Sequence, residues 1–287
     1  MKYQYKKRVF NLCVTAPVLL VPLIAFVAIG LETGLLPKFW ELIYTELPQS
    51  DENPLYFVYM RQAFGMVGML ESTIFSILRN LIPLLSGIVV IPMIRMRDSV
   101  LQLARPRWKH EKRAECRMIV QTVLLSGCVI FLGYLLTMAC GRWMFHQVYV
   151  PDESGNVFVN DVNLPLDDGE HPYLYLLALG AMRCFLLPML MALLTIAVSY
   201  LTNRVYLYLL VPTLYMLLGS KLLSQGMTQD KWPLPLFSPE NFIWPKGALY
   251  WGYGHEASFV WGMVCAALLV IVPSVAMIWY GMRRRRA

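Results

Sequence analysis

Two arginines, Arg79 and Arg183, stand inside stretches of this sequence that are otherwise apolar. A guanidinium keeps its charge wherever it is placed. In apolar surroundings it therefore marks a point where an anion or carboxylate is met, unless its long stem carries the charge out to a polar boundary. Turned inward, either arginine can bind an anionic substrate group or pair with Glu71. Other chemistry lacks its partners. Gly219-Ser220-Lys221 has the end of a phosphate-binding loop without the glycine-rich turn before it, so no P-loop is present. His255-Glu256 has no second histidine at metalloprotease spacing, and His110, His146 and His171 are scattered. No G-x-S-x-G elbow occurs. Asp161, Asp167 and Asp168 can bind a cation, although solvation of a polar loop also accounts for them. Cys13, Cys116, Cys128, Cys140, Cys184 and Cys265 form no C-x-x-C pair, so buried apolar thiols are expected rather than a disulfide framework or a zinc site. No catalytic residue, metal site or cofactor is therefore assigned to this chain.

The elements that carry these residues follow from composition. The chain of 287 residues is 57% hydrophobic and 15% charged, with a mean hydropathy of +0.52. Soluble domains average roughly 25% charge. The charge-free runs 9–31, 118–141 and 257–282 each exceed the ~20 residues that span a bilayer core. The expected fold is all-α: a polytopic membrane protein with six transmembrane helices.

In chain order, a basic leader (Lys2, Lys6, Lys7, Arg8) precedes span one at 9–31, which is too long for a signal-peptide core. The outer loop 32–72 is acidic, and its part at 55–71 is expected to be an amphipathic or re-entrant helix before span two at 73–94. Span three covers 118–140. The outer loop 141–172 contains VFVNDVNLPL, whose alternation fits a short strand or hairpin. Spans four and five, at 173–200 and 205–222, are joined at Asn203 and Arg204. The loop 223–256 is rich in Pro, Trp and Gly and suits an interfacial surface. Span six, at 257–282, ends in the arginine run 283–286.

Between spans two and three, residues 95–117 hold the densest basic run. With the leader, the Asn203–Arg204 turn and the terminal arginines, this loop holds well over half of the 25 Lys and Arg but only Asp98, Glu111 and Glu115 among the 18 acids. By the positive-inside tendency these segments share the cytoplasmic face, which puts both termini inside. Orientation explains the cations, so nucleic-acid binding is not expected. Asp98 or Ser99 can cap a short helix over residues 100–104 that Pro106 stops, and 108–117 can form a basic helix entering span three. Val100, Leu101, Leu103 and Trp108 would then offer apolar surface to the membrane or a soluble partner.

This organisation resembles the permease subunits of ABC-2-type ABC transporters. Leu81-Ile82-Pro83-Leu84-Leu85 through Ile91-Pro92-Met93-Ile94-Arg95-Met96-Arg97-Asp98 looks like that family's second span and its exit. Residues 105–117 are similar to the basic stretch that follows its coupling helix. The family's glycine after the acidic residue is absent; Ser99 and Val100 follow Asp98. The resemblance implies a non-enzymatic permease in the plasma membrane, more often exporting than importing. It would pair with a second copy or a related permease and with a cytoplasmic ATPase that holds ATP and Mg. Asp98, Val100, Leu101, Leu103 and Trp108 would form the coupling contact, and Arg79 and Arg183 would border the substrate pathway. The alternative is a stand-alone membrane protein, such as a sensor, an immunity-type protein or an assembly factor. A secondary transporter is weakened by the lack of an acid inside any span and of an evident inverted repeat.

Overall fold

A computed structural model describes residues 18–31, 76–103, 108–144, 172–226, 234–243 and 259–284; side chains at several helix ends, including 76–79, 96–103 and 108–114, are outside that description. The described residues are all-helical, with no strand. The helices are α1 (Val18–Leu31), α2 (Ser76–Leu103), α3 (Trp108–Met144), α4 (172–201), α5 (Val205–Gly226) and α6 (Phe259–Arg284). Two short 3₁₀ turns, Leu234–Phe237 and Pro239–Phe242, lie between α5 and α6. The expected outer helix at 55–71 and the hairpin in 141–172 lie outside the described residues.

Three helical stretches are long and apolar enough to cross a membrane: Glu115–Cys140, Leu177–Leu201 and Trp261–Arg284. Val18–Leu31, Asn80–Arg95 and Val205–Gly219 are shorter apolar helices. Their packing is built around α4. In its most apolar stretch 72% of residues are buried, against 33% for α3 and 28% for α6. The outer surface is correspondingly apolar, with Leu19, Leu218, Val272 and Trp279 among the exposed side chains. A charge-poor exterior of this kind is stable against lipid rather than water.

Two features adapt the helices to an apolar setting. The buried threonine hydroxyls are satisfied within their own helix: Thr122 donates to the Met118 carbonyl at 2.7 Å, Thr137 to Gly133 at 3.1 Å and Thr195 to Met191 at 2.9 Å. This back-bonding lets a polar side chain be buried without a partner on another helix. Glycine also allows close backbone approach. A Cβ on Gly133 of α3 would meet the Pro22 carbonyl oxygen at 2.7 Å and the Ala25 Cβ at 2.6 Å, so α1 and α3 touch through their backbones. Small residues at such contacts supply the dispersion that holds membrane helices together, where no hydrophobic force acts between them.

The basic loop differs from its expected form. Helix α2 runs without a break from Ser76 to Leu103, past Asp98 and Ser99, so these residues cap no separate short helix. Helix α3 starts at Trp108, and its basic first turns lead into the apolar stretch without interruption. Residues 95–103 and 108–117 are thus the helical arms of a hairpin. Pro83 and Pro92 fall inside α2, as Pro212 and Pro273 fall inside α5 and α6. Neighbouring helices make such breaks tolerable in a membrane bundle.

Gly133→Ala is expected to destabilise the bundle by about 1–3 kcal/mol, the cost of overpacking against atoms that cannot move aside. Gly87→Ala should cost less, because its added Cβ meets only the Leu209 side chain, whose flexible end can turn away, and Ala favours the helix. Thermal unfolding in detergent ranks the two.

Candidate functional site at a buried arginine

Helix α4 is not α-helical throughout. After Pro172–Gly180 it passes through a π-helical turn, Ala181–Leu186, before continuing as Leu187–Leu201. The Leu187 N–H accordingly bonds the Met182 carbonyl, one residue further back than in an α-helix. Pro188 supplies the reason. It has no N–H to donate, and its ring collides with the carbonyl four residues earlier in a regular helix, which a wider turn avoids. The Pro188 carbonyl is taken up by α2, where Ser86 Oγ donates to it at 3.3 Å.

The wide turn buries Met182, Arg183 and Cys184 together. Arg183 is 4% exposed, so it does not snorkel; it faces the bundle interior. Its Nε–H donates to the Ile243 carbonyl oxygen at 2.7 Å. That carbonyl belongs to a short strap, 234–243, whose residues Ser238 to Ile243 are all buried. The loop 223–256, expected to lie at an interface, thus sends this part into the bundle.

Local sequence makes the strap. Ser238 caps the turn Pro239–Phe242, its Oγ accepting from the Glu240 N–H at 3.2 Å, with Pro239 in the first position. The same hydroxyl donates to the Gly219 carbonyl on α5 at 2.9 Å. Gly219 is required there, since a Cβ would come within 2.3 Å of the Pro239 ring. Asn241 Nδ2 donates to the Leu236 carbonyl at 3.1 Å, and the Tyr215 hydroxyl reaches the Phe237 and Ala266 carbonyls at 3.4 and 3.5 Å. Irregular backbone in an apolar setting needs such satisfaction from buried protein groups. The Arg183 cation meets the carbonyl end of this 3₁₀ turn, where the backbone dipole is negative. Glu240, on the same turn, is buried as well, at 4% exposed. The result is a charged, hydrogen-bonded knot joining α4, α5 and the strap, which packs against α6.

The other end of α4 has a second polar contact. Tyr200 donates its hydroxyl proton to the Glu115 carboxylate on α3. The Tyr200 ring covers Gly281 of α6, where a Cβ would meet the Tyr200 Cβ at 2.6 Å. A small apolar cleft opens beside it, lined by Val90 and Ile94 of α2 and by Met118 and Thr122 of α3. The hairpin tip, the 202–204 turn and the C-terminus of α6 therefore share one end of the bundle, and Arg95, Arg117, Arg204, Arg283 and Arg284 are all exposed there.

The sequence-derived candidates separate accordingly. Asp98, Val100, Leu101 and Leu103 occupy the last turns of α2, and Trp108 begins α3; their side chains are outside the description. Arg79 lies in the first turn of α2, at the end remote from the hairpin tip, and its side chain is likewise outside it. Glu71, Asp161, Asp167 and Asp168 lie outside the described residues. Among the described residues no three metal-binding side chains gather. Cys184 is buried as expected, but Cys116 and Cys128 are exposed on α3. Sequence reasoning missed Glu240, Ser238 and Tyr200. The dipeptide Ser238-Pro239 was a legible turn start, whereas nothing local tied Tyr200 to Glu115. In comparisons with protein-family models, curated proteins and solved structures, the chain matched none.

Arg183→Met is expected to cost about 1–3 kcal/mol, because the buried Ile243 carbonyl loses its donor. Hydrogen exchange in 234–243 should rise in this variant while exchange at the Tyr200 end stays unchanged. For the second contact, Tyr200→Phe and Glu115→Gln should each destabilise by roughly 1.5–3 kcal/mol, the lower figure suiting a half-buried carboxylate. Combined, the two should cost less than their sum, as a double-mutant cycle on unfolding would show.

Proposed function

We propose that this chain is the membrane-spanning, non-catalytic permease subunit of an ABC-2-type ABC transporter, exporting a substrate with energy from a separate ATPase. Its six crossings, at about 9–31, 73–94, 118–140, 173–200, 205–222 and 257–282, leave both termini and the 95–117 hairpin on the cytoplasmic side of the cell membrane. A second copy or a related permease completes the transport unit, and the ATPase holds ATP and Mg.

The observation that carries this reading is the hairpin. Helix α2 continues from the end of its apolar part at Arg95 to Leu103, and α3 starts at Trp108 ahead of its apolar part at Glu115. At 1.5 Å per residue each arm projects roughly 10 Å beyond the apolar layer. A helical arm transmits displacement, as a loose loop does not. Through Tyr200 and Glu115 the hairpin is tied to α4, the most buried helix. ATP-driven closure of the partner would enter at Asp98, Val100, Leu101, Leu103 and Trp108. It would pass through α3 into α4 and reach the Arg183 cluster at the far end. Arg79 and Arg183 border the substrate pathway there, with Arg183 gating it through its bond to the strap.

Co-purification tests the reading directly. A P-loop ATPase should accompany the chain out of the membrane, and Leu101→Asp with Leu103→Asp should release it without lowering the unfolding temperature. If no ATPase associates and the double variant works normally, the chain acts alone as a sensor, immunity-type protein or assembly factor. A cysteine at Lys109 should label only from the cytoplasmic side; labelling from outside intact cells would overturn the topology.

A further inference from the structure

The basic end of the bundle carries exposed arginines that are braced by aromatic side chains. On α6 the Arg283 guanidinium lies 3.5 Å from the centroid of the Trp279 ring. Both residues are exposed, with Tyr280 and Arg284 beside them. In the turn between α4 and α5, Arg204 Nη1 donates to the exposed Tyr206 hydroxyl at 2.9 Å. The packing beneath puts these pairs at the same end of the bundle. Tyr200, at the end of α4 just before the turn that holds Arg204, lies against Gly281, two residues before Arg283.

The aromatic residues also fix a depth. Trp261 and Trp279, both exposed, bracket the apolar run of α6. Along the axis they are about 27 Å apart at 1.5 Å per residue, close to the ~30 Å of a hydrocarbon core. Trp and Tyr settle at headgroup level. Arg283 and Arg204 therefore emerge at the level of lipid phosphates. An unsupported surface arginine spends its side-chain entropy on any anion it binds, whereas stacking on Trp279 and bonding to Tyr206 hold these two in place beforehand. Stacking uses the face of the guanidinium and leaves its N–H edge for a phosphate. Among the described side chains at this end, the one carboxylate, Glu115, is engaged by Tyr200 and offers no competing salt bridge.

We propose that Arg283 on Trp279, together with Tyr280 and the Arg204–Tyr206 pair, forms a binding site for an anionic phospholipid. The phosphate diester receives charge-assisted hydrogen bonds from both guanidinium groups. The acyl chains lie along the exposed Val272 and Val275 of α6. The site is independent of any ATPase and goes beyond the permease reading.

Native mass spectrometry of the full chain tests it, after purification in detergent containing equal amounts of phosphatidylglycerol and phosphatidylcholine. Phosphatidylglycerol should be retained preferentially. Arg283→Gln and Arg204→Gln should each lower that preference about fivefold, as expected for one basic residue at a lipid surface. Arg283→Lys should also lower it, since an ammonium cannot stack and still present a planar edge. Arg95→Gln, which removes an exposed cation on α2 at the same end, should leave it unchanged. Equal retention of the two lipids by the native chain overturns the proposal. So does a full preference in Arg283→Lys, or a loss in Arg95→Gln as large as in Arg283→Gln, because either result reduces the site to a diffuse positive field.

Discussion

A guanidinium enclosed by helices must be given acceptors, and the buried strap 234–243 supplies one to Arg183. Taking an ion out of water costs several kcal/mol even after the surroundings relax. The Ile243 carbonyl, at the negative end of the 3₁₀ turn, answers part of that cost. The dependence runs both ways. The 234–243 strap has too little regular structure to satisfy its own backbone, and it stays inside the bundle because Arg183, Gly219 and Tyr215 take up its polar groups or make room for it. Arginine and strap are thus stable together and costly apart.

Helix α4 joins this knot to the opposite end of the bundle. Its buried length carries Arg183 near the strap and Tyr200 near the hairpin, with α2, α3 and α6 packed along it. Interiors packed at crystal-like density do not deform smoothly, so a push on α3 at Glu115 is felt by α4 as a whole. The glycine contact at Gly281 seats α6 closely against the same end of the shaft. Three helices thereby meet at one tyrosine, whose hydroxyl is anchored by a charge.

Much of the helical plan was legible because charge-free runs and basic clusters are properties of composition, which a linear sequence displays directly. The grouping of Arg95, Arg204 and Arg283 at one end follows from the same signal. The continuity of α2 past Asp98 was not legible: Asp98 and Ser99 look like a cap, but a helix already propagating has no need of one. The burial of the strap was hidden for a different reason. Pro and Trp in 223–256 indicate an interface equally well whether the chain lies on the bundle or enters it, and only the partners of Ser238 and Ile243 distinguish the two. Arg183 itself was visible as an anomaly, but its direction depended on a π turn that Pro188 forces from five residues away.

That π turn holds one residue more than an α-helix needs over the same rise, and Pro188, a covalent feature of the chain, keeps the surplus where it is. The extra residue offsets the two parts of α4 by about 100° about the helix axis relative to an unbroken α-helix. One imino acid thus sets the facing of everything on its N-terminal side. A regular helix through the same residues would carry the Arg183 guanidinium about a quarter-turn away from the Ile243 carbonyl.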